Sequence, residues 1–596
     1  MTQTPGLRLS LAHGLRGVVW LSMLIIIVKA GVDGMKLGQG FASFGNDDVM
    51  RMLSVRDWVA GQGWYDVAQY RLLPPEGVPL HWSRYIDVGI AALIVPFSLI
   101  FPMDVAEMVA ATLWPTLIMI IHVLAVAFGT QRVFGRVPAC FAVLCVTLWP
   151  LTADLHSRAG QLDHHNVQLL MMVFLAFAAI WPSRPVGAGV VGGIAAAFSL
   201  AVGLEALPFI VGGGLAIFMR AIFLPSLQTR ILLFTFCTTL CFGSILLWTG
   251  QTLPAMWMQQ ACDRLGVQTL SLVAIAVVAT VLPTLAHRRL KDAWMQMGAA
   301  VVLTCIGVVV AWPVLSGCLA GPYGALPEII QEAIRNDITE AKPVFVYAQS
   351  HLTLTLVFML PVIVSFLAGS ILWLSSCISP RPQDDQNHAL GILLIFCTVG
   401  ILMVFVQMRT VIILASVVPV IGGVVVWRLL NSYFEKRDLT QGLLAIAVAA
   451  MIVTPVQALS PLGPLLVQDT SETRVSRINC LEQASLTALN DVPPGVILTH
   501  LNFGPGLIWA THHDGLSAPY HRSAAAMSNG ILPFRMESAE MADYVRATPA
   551  THLLICRGYN YEGDFADTLA NGGSADWLRP VPLDDDIQIL FEVLRE

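Results

Sequence analysis

The chain has 596 residues, of which 56% are hydrophobic and only 12% charged, with a mean hydropathy of +0.71. A soluble protein carries about 25% charged residues, so the composition excludes a soluble globular chain and requires several membrane crossings. The net charge is −6, the pI is about 6.2, and there is no basic tract, which argues against nucleic acid as a partner.

Apolar windows of roughly 20 residues place spans near 15–33, 105–129, 137–155, 165–182, 186–203, 206–223, 231–249, 266–286, 297–316, 351–374, 388–407, 410–428 and 441–458. The first is read as a span because 15–32 lacks the small-residue cleavage site of a secretory signal. The apolar run 88–101 is short and punctuated by Pro96 and Pro102, so it is expected as an interfacial or re-entrant helix. The basic residues support that choice. With the N-terminus (Arg8, Arg16) inside, Arg132, Arg136, Arg184, Arg230, Arg288, Arg289, Lys291, Arg381, Arg428, Lys436 and Arg437 fall on the same side, as the positive-inside rule requires. Counting 88–101 as a span would put most of them outside.

The expected architecture is a polytopic α-helical domain over 1–458 with about thirteen spans. It carries a first external loop (34–104) and a large external loop (317–350), followed by an external α/β domain over 459–596. In that last region β-like runs (495–499, 506–510, 552–556) alternate with helical stretches (482–489, 537–548). Cys480 and Cys556 fall there without the spacing of a zinc site, and outside the cell they make a plausible disulfide. Most of the other cysteines sit in apolar runs as small hydrophobes. The expected location is a bacterial inner membrane, crossed many times, with the C-terminal domain in the periplasm.

The stretch Ser157-Arg158-Ala159-Gly160-Gln161-Leu162-Asp163-His164-His165-Asn166 separates two apolar runs. Ionisable groups at membrane depth are costly and are kept mainly where they act on something; the plainer alternative is a polar loop that only turns the chain. Asp47, Asp48, Asp163, His164, His165 and Glu340, from three external loops, form a hard-donor set suited to Mg²⁺ or Mn²⁺ rather than zinc. A divalent ion there can neutralise a phosphate leaving group, and Arg158 and Arg409 are candidates to grip the same phosphate. Each residue also has a plainer reading. Asp47 and Asp48 can cap a helix starting near Val49, Glu340 can be one more solvated acid beside Glu328, Glu332 and Asp337, and Arg409 can snorkel to the interface.

In this order the motifs resemble those of the oligosaccharyltransferase catalytic subunit and its single-subunit bacterial and archaeal forms, within the GT-C glycosyltransferase superfamily. Asn46-Asp47 followed by Arg56-Asp57-Trp58-Val59-Ala60-Gly61 is similar to the family's first acidic motif, which implies Asp47 as a metal ligand. Arg158-x-Gly160-x-x-Asp163-His164-His165 is similar to the second, implying Asp163 and His165 as ligands, and Ile338-Thr339-Glu340-x-Lys342-Pro343 is similar to the glutamate motif, implying Glu340. Arg409 matches the arginine heading a late span that meets the lipid-linked donor. One element departs. The Trp-Trp-Asp that reads an Asn-x-Ser/Thr acceptor is replaced by Thr499-His500-Leu501-Asn502-Phe503-Gly504, so the expected acceptor is a hydroxyl on a glycan, a lipid or a Ser/Thr.

The C-terminal region also holds Thr511-His512-His513-Asp514, with Tyr520, His521 and Arg522 just beyond. His512, His513, Tyr520, His521 and Arg522 can line an acceptor groove, or the segment can be a polar turn bent by Pro519. The resulting reading is a metal-dependent glycosyltransferase, expected to invert, that moves a sugar or oligosaccharide from a polyprenyl-(pyro)phosphate donor to a hydroxyl or amide acceptor. Its partners are the lipid-linked donor, membrane lipids and a glycan, lipid or protein acceptor. The alternative is a lipid-linked glycan flippase, although transporters place their polar residues near mid-membrane and here the acids gather at one rim. The sequence leaves open whether Asp48, His164 and Glu205 take part.

Overall fold

The computed structural model describes residues 5–155, 157–181, 183–321, 323–324, 326–337, 341–378, 384–462 and 480–595. Among these residues, eight helices are long and apolar enough to cross a membrane, and a ninth candidate is the pair Met408–Leu414 and Val418–Lys436, bent by 56°. Four shorter apolar helices, Arg136–Leu148, His165–Ile180, Leu207–Phe223 and Leu439–Val453, complete the bundle. These elements fall one for one on the expected spans. The short ones differ in reach: at 1.5 Å per residue, 13 residues in Arg136–Leu148 cover about 20 Å of a core about 30 Å thick. Trp149, extended and fully buried, breaks that helix, and a single turn starting at Pro150 follows.

Helix α1 is Pro5–Gly40, α2 is Asn46–Val59, α3 is Arg84–Ser98 and α4 is Met103–Phe134. Helix α5 is His165–Ile180, α6 is Pro185–Val202 and α7 is Leu207–Phe223. Helix α3 carries Pro96 and covers the run expected to be re-entrant; it ends before Leu99 and Ile100, which are exposed. Helix α6 is rich in Gly and Ala (Gly189, Gly192, Gly193, Ala195, Ala196 and Ala197, all buried), and these small residues let the next long helix but one, Leu227–Gln251, lie close against it.

Beyond the bundle the chain forms a five-stranded sheet from β1 (Val496–Leu498), β2 (Asp514–Gly515), β3 (His552–Cys556), β4 (Leu578–Val581) and β5 (Gln588–Val593), in the order β2-β1-β3-β5-β4. Strands β2, β1 and β3 run parallel, while β5 runs antiparallel to both of its neighbours, β3 and β4. Strand β3 shows why both faces are covered: Leu553 and Ile555 enter one apolar cluster with Phe591, while Leu554 and Cys556 enter another with Leu590. Alternation with a period of two sends neighbouring side chains to opposite faces. Cys480 and Cys556 are disulfide-bonded beneath the second face.

One expectation needs correcting. The run 506–510 is not a strand but part of the helix Gly504–Ala510, because Pro505 stands in its first turn, where a fixed φ favours helix initiation. Cys262 and Cys318 form a second disulfide between two inter-helix connections. The sheet is also not a separate body. Leu72 of the first loop pairs in parallel with Gly515, and Ile508, Tyr520 and Ala526 share one buried cluster with α2, α3 and α4.

Candidate active site

Helix α2 begins at Asn46 with Gly45 as its N-cap and no side-chain cap bond, so neither Asp47 nor Asp48 caps it. Asp48 instead clamps two loops together. Its Oδ1 accepts the backbone N–H groups of Leu162 (2.7 Å) and Asp163 (2.9 Å), and the residue is buried. Burial pushes the Asp48 carboxyl well up, and the charge of Asp163 adds to the effect against those two N–H donors. Asp47, one position earlier, is exposed in the first helical turn.

The clamped loop turns at Gly160, whose φ of +95° suits glycine and whose N–H donates to Ala111 O at 2.9 Å. A Cβ at Gly160 would come within 2.8 Å of Leu37 and Phe44. The turn delivers Asp163 to the head of α5, where its Oδ1 accepts the His164 N–H at 2.7 Å. His164 Nδ1 lies 2.6 Å from Asp163 Oδ1, and His165 Nε2 lies 3.2 Å from Asp163 Oδ2. On its far side His164 Nε2 is 3.3 Å from Glu205 Oε2, which also accepts from Gln168 Nε2 at 3.1 Å.

Burial alone would raise the Asp163 carboxyl, but His164, His165 and Arg51 overcome it and hold the group well below the usual carboxylate range. Burial likewise opposes charge on His164, yet Asp163 and Glu205 on its two sides push it up to about 10. Glu205 is depressed in turn: its burial is outweighed by His164. Arg51 completes the surround. It is buried, sits 4.3 Å over the Trp82 ring, pairs with Asp87 at 3.1 Å and brings Nη2 to 4.0 Å from Asp163. Arg84 holds the other oxygen of Asp87 at 3.1 Å.

Asp163, His164 and His165 each offer a ligand atom, all within 4.8 Å of one another, so this donor set fits a divalent cation. Two imidazoles with one carboxylate shift the preference from Mg²⁺ towards Mn²⁺ or Zn²⁺. The structure thus brings Asp163 and His165 together, with Asp47 one residue from the clamp; Glu340 lies outside the described residues. Arg409 sits half-buried at the head of the bent pair, with its Nε donating to Gln407 Oε1 at 3.0 Å, and Met408 N–H donates to Lys342 O at 2.8 Å. Arg158 is exposed, 5.2 Å from the Phe44 ring.

The five C-terminal residues expected to line an acceptor groove do other work. His513 is fully buried: it accepts the Gly495 N–H through Nδ1 at 3.1 Å, and its Nε2 is 2.8 Å from Leu489 O. His512 Nε2 is 3.0 Å from Val492 O. Tyr520 is buried and donates to Asn46 O at 3.1 Å. His521 and Arg522 grip Asp263, the arginine through two bonds of 2.7 and 2.8 Å. His512 and His513 thus stay within the C-terminal region, whereas Tyr520, His521 and Arg522 tie that region to α2 and to the connection that holds Asp263. Asn502, standing where the Trp-Trp-Asp motif would be, accepts from Asn46 Nδ2 at 3.2 Å. Arg51 carries no signal in the sequence, and the parts played by Asp48, His164 and Glu205 stay open there, because contact distances, not motif spacing, define their roles.

No protein-family model matches the chain, and no curated protein matches it. Solved structures do. The oligosaccharyltransferase AglB from Archaeoglobus fulgidus, in complex with an inhibitory peptide and a dolichol-phosphate, aligns over 90% of this chain and 69% of its own with a TM-score of 0.62 at 12% identity. The apo form of the Archaeoglobus fulgidus enzyme aligns over 91% and 69% (TM-score 0.60, 13% identity). Its complex with Zn and sulfate aligns over 89% and 68% (TM-score 0.58, 13% identity). The chain therefore has the GT-C fold of the archaeal oligosaccharyltransferase: a polytopic membrane protein with a C-terminal α/β region.

Proposed function

We propose that the protein is a metal-dependent glycosyltransferase that moves a sugar or oligosaccharide from a polyprenyl-(pyro)phosphate donor to an acceptor at the outer face of the membrane. The observation that carries this reading is the convergence of Asp163, His164 and His165 at the head of α5, in a chain with the fold of an enzyme solved with dolichol-phosphate and with Zn and sulfate. Asp163 and His165, joined by Asp47, would hold a divalent cation. Such a cation, when bound, supplies positive charge to a phosphate leaving group.

The protein's own residues do the rest. The Asp48 clamp and the turn at Gly160 fix Asp163, and His164, His165 and, last, Arg51 favour its carboxylate form. Arg409 is assigned to the donor phosphate, as a planar guanidinium matches phosphate oxygens. Asn502 in place of Trp-Trp-Asp favours a hydroxyl acceptor other than the Asn sequon. The test is turnover of a synthetic polyprenyl-linked sugar by the protein in nanodiscs, with Mn²⁺ or with EDTA. Ion-dependent turnover abolished in Asp163→Ala is expected, with Asp47→Ala and Glu340→Ala probing the two further carboxylates. Turnover that persists in EDTA, or in Asp163→Ala, would overturn the proposal.

A further inference from the structure

Glu205 lies forty residues beyond the acidic motif, in the short connection between α6 and α7, and no motif of the sequence includes it. Its Oε2 faces two side chains of the α5 head, His164 Nε2 at 3.3 Å and Gln168 Nε2 at 3.1 Å. His164 is itself buried. Its other nitrogen, Nδ1, is 2.6 Å from Asp163 Oδ1. The connection is built for this approach. A Cβ on Gly203 would stand 2.6 Å from His164 Nε2 and 2.8 Å from Gln168 Nε2, and closer still to Glu205 Oε2, so only glycine leaves room for the three groups to meet.

An imidazole has one donor and one acceptor nitrogen when neutral, and the partner of one nitrogen decides what the other can do. A carboxylate behind a metal-ligating histidine fixes its tautomer and ring orientation, and losing that partner typically weakens metal binding about 10–100-fold. We propose that Glu205 is a positioning residue for the metal site: it accepts the His164 Nε2–H and holds Nδ1 towards Asp163, where a bound cation would displace the Nδ1 proton to solvent and make His164 a ligand beside His165. Gln168 steadies Glu205 from the same helix. This rests on the reading of Asp163 as a metal ligand and adds to it a second imidazole and an outer carboxylate from a different connection.

The experiment is Mn²⁺ and Zn²⁺ titration of the full chain in nanodiscs by calorimetry, with thermal unfolding in EDTA as the structural control. Glu205→Leu is expected to raise the Kd about 10–100-fold, whereas Glu205→Gln, which keeps an acceptor oxygen and the side-chain shape, recovers most of the affinity. In a His164→Ala background Glu205→Leu adds nothing further, because both changes remove one interaction. Glu205→Gln also serves if the leucine variant does not fold. Wild-type affinity in Glu205→Leu, or the same loss with and without His164, would overturn the role of Glu205 while leaving the metal reading intact. A wild-type chain that binds neither ion would overturn the metal reading and this inference with it.

Discussion

Two short stretches of this protein have the same composition in reverse order, Asp163-His164-His165 and His512-His513-Asp514. In the first, the imidazoles face carboxylates: His164 lies between Asp163 and Glu205, and His165 meets the second oxygen of Asp163. In the second, they face the main chain, at Leu489 O, Val492 O and the Gly495 N–H, while Asp514 lies 3.5 Å from Arg71. A backbone carbonyl satisfies an imidazole N–H and ends its chemistry. A carboxylate draws positive charge, whether proton or metal ion. The same residues thus build a candidate cation site in one place and a structural joint in the other, and only the identity of the neighbours separates them.

The largest expected effect tests that contrast directly. Asp163→Ala is expected to lower both Mn²⁺ affinity and donor turnover beyond the roughly 10–100-fold loss of an outer-shell change. His513→Ala instead leaves the Leu489 carbonyl and Gly495 N–H without their partner, and each buried unsatisfied group costs about 1–3 kcal/mol. Its melting temperature should fall while turnover per folded molecule holds. The contrast fails if the two variants show the same pattern.

Next in size is Arg51→Met. The Arg51–Asp87 pair is fully buried, and removing one partner of such a pair costs about 3–5 kcal/mol. Arg84 remains on Asp87, which places the expected loss at the low end of that range. Denaturant unfolding of the protein in detergent micelles measures it. A variant as stable as the wild type would show that Arg51 is held for Asp163 alone.

The third joins the two regions. Asp263, in the connection before the helix Val267–Leu285, is gripped by Arg522 and His521. Burial would raise its carboxyl, but the hydrogen bonds from Arg522 and His521 hold it well below the ordinary carboxylate value. A carboxyl lowered on folding stabilises the folded state above its unfolded pKa of about 3.9 and loses that contribution as pH falls through and below it. Asp263→Asn should therefore cost about 1.5–3 kcal/mol near neutral pH, and the gap between variant and wild type should close as pH falls below about 4. A gap that does not change with pH would mean that the charge on Asp263 does not hold the sheet in place.

The sequence was most readable where one property repeats along the chain. Apolar runs located every helix of the bundle, and the spacing of Arg158, Gly160 and Asp163 marked the loop on which the site is built. It was least readable where two distant segments meet. Asp47 and Asp48 are adjacent and alike, and only the phase of α2 against the 157–166 loop makes Asp48 the buried clamp. Glu205 has no neighbour in sequence to suggest a partner. The residue types of 511–522 fit an acceptor groove, whereas the carbonyls of Leu489 and Val492 that engage His513 and His512 belong to a segment with no motif at all.

The smallest expected effect gives the sharpest test of that last point. His512 is exposed; its Nε2 lies 3.0 Å from the Val492 carbonyl and its ring is 4.5 Å from that of His513. A solvent-accessible hydrogen bond of this kind contributes about 0.5–1.5 kcal/mol, and water can replace it, so His512→Ala should lower the melting temperature only slightly. A structural joint predicts nothing more. A groove that holds the acceptor predicts the reverse: unchanged stability and a raised KM for acceptor with kcat preserved, because uniform binding would be lost without loss of transition-state stabilisation. Measuring both quantities on this one variant decides whether the second histidine pair belongs only to the fold.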